Sequence, residues 1–126
     1  MSTHLKEAFD LVINHFNKTE YDELLPLMDG DIIMKKVDDP GSVVGIGNVI
    51  SYLKGRQAQF RPELTHIVCD GEPWDQTGTM AQVSGTGQMH DKKGAPGVSV
   101  RFTFTFTRGS EDEDWLVINA FAARTH

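Results

Sequence analysis

The sequence contains a single cysteine, Cys69, and it has no excess of basic residues. One cysteine excludes an intramolecular disulfide, and its place in a β-like run is typical of a small buried hydrophobe. The formal net charge is −6, and nucleic-acid binding would need a basic stripe that is absent. No apolar run approaches the ~18 residues that span a bilayer, and the first residues lack a signal-peptide pattern. We therefore expect a cytoplasmic protein with no nucleic-acid partner and no membrane association.

Motifs for cofactors and metals are also missing. Gly45 and Gly47 precede a predicted helix, but the third glycine of a dinucleotide fingerprint and the Lys-Ser/Thr ending of a P-loop are absent. The five histidines show no spacing typical of metal ligands. Cys69 has no neighbouring base that would activate it as a nucleophile. We expect neither a cofactor nor a metal.

The most regular pattern lies in the last third of the chain. Residues 98–108 read VSVRFTFTFTR, and this alternation of apolar and polar residues is typical of a strand with one buried face. A second β-rich run, 115–123, follows an acidic stretch at 111–114, which we expect to solvate a turn. The pattern predicts a long β-hairpin against which the rest of the chain packs.

Helical periodicity is confined to the first half. One apolar stripe predicts a helix from about residue 5 to residue 16, with the members Leu5, Ala8, Phe9, Val12, Ile13 and Phe16. Thr19 and Asp22 resemble a capping box, which predicts a second short helix that Pro26 ends before Met28. A third helix is predicted from about Asn48 to Lys54.

Strands dominate from residue 64 onward, at 64–69, 80–90 and the hairpin, after a short strand near 32–34. Gly85 and Gly87 share one face of the 80–90 strand, which indicates a bend or the close approach of another backbone. Helices first and strands later, without βαβ alternation, predict one α+β domain over residues 1–126. Its curved antiparallel sheet would wrap around three N-terminal helices, and its length suits one compact core.

This order of elements resembles the nuclear transport factor 2-like superfamily, in particular its SnoaL-type polyketide cyclase and ketosteroid isomerase-like branch. The local patterns that carry the resemblance are LLPLMDGD at 24–31, GIGNVI at 45–50 and WLVI at 115–118. It covers nearly the whole chain and implies a cone-shaped, cystatin-like domain with an apolar pocket for a small hydrophobic molecule. It also implies a homodimer paired through the outer sheet face. Because such proteins include isomerases, dehydratases, cyclases and binding proteins, the fold alone does not define an activity.

Two catalytic arrangements of these proteins are missing. Where ketosteroid isomerases carry an aspartate base and a tyrosine donor, this chain places Lys36 and Val12. The Arg-x-Asp arrangement of epoxide hydrolases is also incomplete, since Arg101 is followed two residues later by Thr103. Without a base and an electrophilic donor, we expect neither activity.

Five residues are the candidates for a site. His66 lies mid-strand between apolar neighbours and is the candidate catalytic base, since histidine is the side chain that most readily exchanges a proton near neutral pH. Asn119 shares strand parity with Trp115, so if Trp115 points inward, as the resemblance implies, both would contact the ligand and Asn119 would orient a carbonyl. Lys36 is a candidate cation at the pocket mouth, and Tyr21 is a candidate hydroxyl. Weaker candidates are Asp31, Asp38, Asp39, Tyr52, His90 and Asp91.

Each candidate also has a structural alternative. His66 can bond to a backbone carbonyl or lie on the exposed sheet face, Asn119 can bond to neighbouring backbone, and Tyr21 can belong to the core. Two functions stay open: a cofactor-independent isomerase, cyclase or dehydratase with His66 as base, or a non-catalytic module that binds a small ligand. A third, a protein-interaction module, would expose a groove instead of enclosing a cavity.

Overall fold

A computed structural model describes residues 4–35, 41–55, 61–74, 76–92 and 94–125. The elements in chain order are α1 (Leu5–Asn17), a 3₁₀ helix (Tyr21–Leu27), β1 (Met28–Lys35), β2 (Ser42–Val44), α2 (Ile46–Gly55), β3 (Glu63–Cys69), β4 (Met80–His90), β5 (Gly97–Thr107) and β6 (Leu116–Arg124). The helices pack against one face of a curved, open sheet, and the predicted α+β class is confirmed.

The sheet has the strand order β2-β1-β6-β5-β4-β3. Strands β3 to β6 form an antiparallel meander, in which the predicted hairpin is β5 and β6. Strand β1 joins the free edge of β6 in parallel, and β2 then pairs with β1 in antiparallel fashion. The predicted antiparallel sheet is therefore confirmed at every pair except β1 with β6, because β1 reaches that edge directly from the helices.

Helix α1 lies across the concave face of the sheet and fills it with its predicted apolar stripe. The centroid of the Phe9 ring lies 5.8 Å from that of Phe102 and 5.7 Å from that of Phe104, both on β5. Trp74 covers the outer side of the same cluster, 5.6 Å from Phe9. The alternating phenylalanines of β5 thus belong to the core, where burial of large aromatic side chains contributes much of the stability.

The second helix begins at Tyr21, close to the predicted position, but it is a 3₁₀ helix without the predicted capping box. Thr19 has a left-handed backbone with φ of 57°, and its hydroxyl donates to the Lys18 carbonyl, so the predicted capping box does not form. Asp22 instead accepts a hydrogen bond from Lys54 of α2 at 3.0 Å. Pro26 lies inside the resulting 3₁₀ helix, a short segment in which one missing N–H donor costs little.

Gly85 and Gly87 lie where β3 runs close to β4. A Cβ on Gly85 would stand 2.8 Å from the Cys69 Cα and 2.9 Å from a ring carbon of Phe102. Opposite these glycines β3 carries a bulge, between Thr65 and Val68. The predicted close approach of another backbone is confirmed, and bulges of this kind bend a sheet.

The acidic stretch before β6 does more than solvate a turn. The Gly78 N–H donates to Glu111 at 2.8 Å, and the Gly109 N–H donates to Glu113 at 3.1 Å. Arg108 completes the link by donating to the Gly78 carbonyl at 2.7 Å. The two bonds to Gly78 join the β5–β6 turn to the β3–β4 connection, and the bond from Gly109 to Glu113 lies within the turn.

Candidate functional site

An apolar cavity of about 240 Å³ lies between the helices and the concave face of the sheet. Since about 10–15 Å³ of volume measured in this way admits one water molecule, the cavity has room for a small organic molecule. Every helix and every strand except β2 contributes to the lining, which includes Val12, Phe16, Leu64, Phe102, Phe104 and Val117. The lining matches the usual form of a small-molecule site, an apolar wall with few polar groups.

The cavity exists because large residues of β5 face small residues of β6. Phe102 pairs with Ala122 and Phe104 pairs with Ala120, and all four residues line the cavity. An alanine side chain leaves most of the space opposite a phenylalanine unfilled. The space beside these two alanines is part of the cavity.

Two charged residues of the lining lie at one end of the cavity, where strands β4 and β6 terminate. Arg124 is the last residue of β6 and pairs with Val100, with the same parity as Ala122. Asp91 follows the last residue of β4. Both side chains are exposed and both line the cavity, which places them at its open end.

Two further polar residues of the lining are Tyr52 and Lys35. Tyr52 lies on α2 and is half-buried, so it brings a hydroxyl group to the helical wall. Lys35 ends β1 and pairs with Phe121, and its ammonium lies 5.0 Å from the centroid of that ring. Phe121 also lines the cavity, so the Lys35 ammonium lies over a second residue of the lining.

Asn119 does not line the cavity, contrary to the expectation from strand parity. Val117 pairs with Phe106 and Asn119 pairs with Thr105, which leaves Ile118 as an extra residue on β6. A one-residue bulge reverses the face of every residue that follows it. Asn119 is exposed on the outer face, and the expected contact between its amide and a ligand in the cavity is corrected.

His66 also lies outside the cavity, on the bulge of β3, with a left-handed φ of 53°. Its Nδ1 lies 2.9 Å from the Thr65 hydroxyl, which lies 2.9 Å from Nε2 of His90. Nδ1 of His90 is 2.7 Å from the Ala95 carbonyl. Because a carbonyl only accepts, Nδ1 of His90 donates to it, whereas the direction of the bond between Nε2 and the Thr65 hydroxyl depends on the tautomer of the ring. This series of hydrogen bonds stabilises the β4–β5 turn. The expectation that His66 faces a ligand in the cavity is corrected.

The remaining candidates take structural positions or lie outside the described residues. Tyr21 is buried, burial raises the pKa of its phenol, and its hydroxyl has no hydrogen-bond partner among the described residues. Trp115 is buried as expected, and the Arg108 guanidinium lies 4.0 Å from its ring centroid. Neither Tyr21 nor Trp115 lines the cavity. Lys36, Asp38 and Asp39 fall outside the described residues.

Arg124 is not among the candidates that the sequence predicts, and Asp91 and Tyr52 are among the weaker ones. A signal for Arg124 exists in the sequence, since Ala120, Ala122 and Arg124 share one parity at the end of β6. Residues of this parity face the cavity only because of the bulge at Ile118. The sequence does not reveal this bulge, because Ile118 is an apolar residue within an apolar run.

Two further features are absent from the described ranges. No group of three or more His, Cys, Asp or Glu side chains in these ranges could hold a metal ion. None of the helices in the same ranges is both long enough and apolar enough to cross a bilayer.

Neither a protein-family model nor a curated protein matches the sequence, whereas solved structures share its fold. A candidate dehydratase of the nuclear transport factor 2-like family from Streptomyces avermitilis superposes with a TM-score of 0.73 at 16% identity, over 98% of this chain and 95% of that one. An uncharacterised protein with a cystatin-like fold from Caulobacter vibrioides gives 0.74 at 11%, over 98% and 88%. A candidate polyketide cyclase from Pseudomonas putida gives 0.63 at 15%, over 98% and 93%. The chain therefore has the cystatin-like fold of nuclear transport factor 2-like proteins, and the predicted fold is confirmed.

Proposed function

We propose that this protein binds a small hydrophobic molecule in the cavity between its helices and its sheet. The observation that carries the proposal is the apolar, unfilled space where Ala120 and Ala122 oppose Phe104 and Phe102. An apolar ligand would exchange its contact with water for contact with these side chains, at about 25 cal/mol per Å² of buried apolar surface.

A matched pair of variants on neighbouring residues tests this proposal. Ala122 lines the cavity, whereas Ala123 pairs with Arg101 on the other face of the sheet. Ala122→Leu fills the cavity and is expected to abolish the binding of octanol, measured by isothermal titration calorimetry. Ala123→Leu is the control and is expected to bind octanol like the wild-type protein. Unchanged binding by Ala122→Leu, in a variant with wild-type circular dichroism, would exclude this cavity as the site.

A second candidate function is chemical conversion of the bound molecule. Two observations favour it: Asp91 and Tyr52 line the same cavity, and solved structures of the same fold carry the names dehydratase and polyketide cyclase. Dehydration and cyclisation both need a group that removes a proton and a donor that holds a carbonyl oxygen. For the dehydration, the Asp91 carboxylate would remove the proton next to the carbonyl while the Tyr52 hydroxyl donates to the carbonyl oxygen. Asp91 would then return that proton to the β-hydroxyl, which leaves as water as the carbon–carbon double bond forms.

A phenyl-substituted β-hydroxy ketone separates binding from conversion, because its dehydration gives a conjugated enone that absorbs in the ultraviolet. If the protein is a dehydratase, the absorbance rises with wild-type protein and rises more slowly with Asp91→Asn or Tyr52→Phe. Recovery of the ketone unchanged from a protein that it stabilises against heat would favour binding without conversion.

The homodimer and the cytoplasmic setting stay predictions. The outer sheet face offers support for pairing, since Ile33 and Val44 pair with each other and are 40% and 57% exposed. Exposed apolar residues of this kind often mark contacts between proteins. Sedimentation velocity of the wild-type protein and of Ile33→Lys tests the pairing, with a shift of the variant to monomer as the expected result.

A further inference from the structure

We infer, on the basis of the proposed function, that the molecule held in the cavity is a small amphiphilic carboxylic acid. Its carboxylate would lie against Arg124 at the open end, and its hydrocarbon body would occupy the apolar interior.

The position of Arg124 is fixed by the sheet. Arg124 pairs with Val100 of β5, and the next residue, Thr125, donates from its backbone N–H to the Ser99 carbonyl at 2.9 Å. The backbone therefore stays attached to β5 up to and beyond Arg124. Since Arg124 has the parity of Ala120 and Ala122, its side chain starts from the cavity face.

The guanidinium group suits a carboxylate better than other head groups. Its five N–H donors form a planar fork that matches the two oxygens of a carboxylate, and it has no acceptor. Because it has five donors, Arg124 can keep a contact within the protein and still donate to a ligand. A neutral head group with one acceptor would use only part of this fork.

The interior determines the orientation of the ligand. Val117 lies at the other end of the β6 lining, and Leu24 and Met28 of the lining are also apolar and buried. A carboxylate placed among these side chains would lose its hydration without gaining a partner, which is strongly unfavourable. The acid must therefore stay at the open end, and the hydrocarbon must point inward.

The charge around the site also limits the ligand. The whole chain has a net charge of −6, so general attraction cannot explain a preference for anions. The preference must come from cations of the lining, which are Lys35 and, at the open end, Arg124, and Asp91 at the same end as Arg124 opposes a second negative charge on the ligand. A monocarboxylate fits this pair of charges better than a dicarboxylate or a phosphate.

Octanoate and octanol test the inference as probes that share a chain and differ in the head group. We expect Arg124→Met to weaken octanoate binding by about tenfold in calorimetry at neutral pH and to change octanol binding by less than about twofold. Asp91→Asn is expected to tighten octanoate binding, since a like charge is removed, and Arg124→Lys is expected to retain part of the preference.

Arg101→Met is the matched control, because Arg101 is an exposed arginine of the adjacent strand that pairs with Asp70 away from the cavity. It should leave the binding of both probes unchanged. If Arg124→Met weakens both probes equally, or leaves octanoate unchanged, the inference is wrong while binding in the cavity stands. If wild-type protein binds neither probe, the proposed function and the inference fail together.

Discussion

Val117 and Asn119 lie two positions apart on β6 and face opposite sides of the sheet. Val117 is 1% exposed and lines the cavity, whereas Asn119 pairs with Thr105 and is exposed. Ile118 between them is the bulged residue, since β5 has no partner for it. Before the bulge, Val117 is on the cavity face of β6. After the bulge, Ala120, Ala122 and Arg124 are on that face, so an arginine and not an asparagine lies at the cavity.

The bulge predicts a contrast between two alanine substitutions on β6. Val117→Ala removes buried methyl groups and is expected to lower the free energy of unfolding by about 2 kcal/mol. Asn119→Ala removes an exposed side chain and should change it by less than about 0.5 kcal/mol. Urea denaturation measures both values, and a large loss in Asn119→Ala would contradict the register of β6.

The close approach of β3 to β4 predicts a contrast between two glycines. Gly85→Ala would force a Cβ to within 2.8 Å of the Cys69 Cα and 2.9 Å of Phe102, so we expect a loss of about 1–3 kcal/mol in unfolding free energy. Gly30→Ala is the control, because a Cβ there meets nothing within 4 Å. The control should be neutral or stabilising by up to about 1 kcal/mol, because alanine restricts the unfolded chain. Equal effects of the two substitutions would argue against the close approach.

Burial of Tyr21 predicts a dependence of stability on alkaline pH. Burial raises the pKa of its phenol above the ordinary value of 10.0, so the folded state keeps the proton at a pH where the unfolded state releases it. The unfolding free energy should therefore fall as the pH rises through and above about 10, and it should fall less steeply in Tyr21→Phe.

Denaturation at a series of pH values between neutral and strongly alkaline measures this difference. Burial also raises the pKa of the Cys69 thiol, but Cys69 is present in both proteins, so the difference between them reports on Tyr21. At neutral pH Tyr21→Phe should be at least as stable as wild type, since it removes a buried hydroxyl that has no partner among the described residues. Parallel pH profiles would contradict the prediction.

The left-handed backbone of His66 predicts which residues its position tolerates. Asparagine adopts a φ near the observed 53° readily, whereas a β-branched residue does not. We expect His66→Asn to retain wild-type stability within about 0.5 kcal/mol and His66→Val to lose about 1–2 kcal/mol. Because His66 does not line the cavity, the affinity for octanol should stay unchanged in His66→Asn. Weaker octanol binding in this variant would place His66 at the site after all.

Much of the fold could be predicted from the sequence because its signals are local. The apolar stripe of α1 and the alternation along β5 each arise from one periodicity, and the structure has both elements within a residue or two of the predicted bounds. The 80–90 strand coincides with β4. Strand β2 at Ser42–Val44 was not predicted, because three residues are too few to show a period.

The candidate site was harder to predict because it depends on how strands meet. Strand alternation predicts Asn119 at the cavity, and a place mid-strand between apolar neighbours makes His66 a candidate, but a bulge interrupts each strand near these residues. Bulges depend on the neighbouring strand and on the curvature of the sheet, neither of which a single segment encodes.

The sequence by itself determined the class of the fold, the order of its elements and the apolar character of its interior, since these follow from periodicity and hydrophobicity along short segments. Only the tertiary structure decided which polar side chains meet the cavity. It placed Arg124, Asp91 and Tyr52 there and placed His66 and Asn119 outside. The physical reason is that one extra residue in a strand reverses the face of those beyond it, and only the pairing of strands shows where that residue lies.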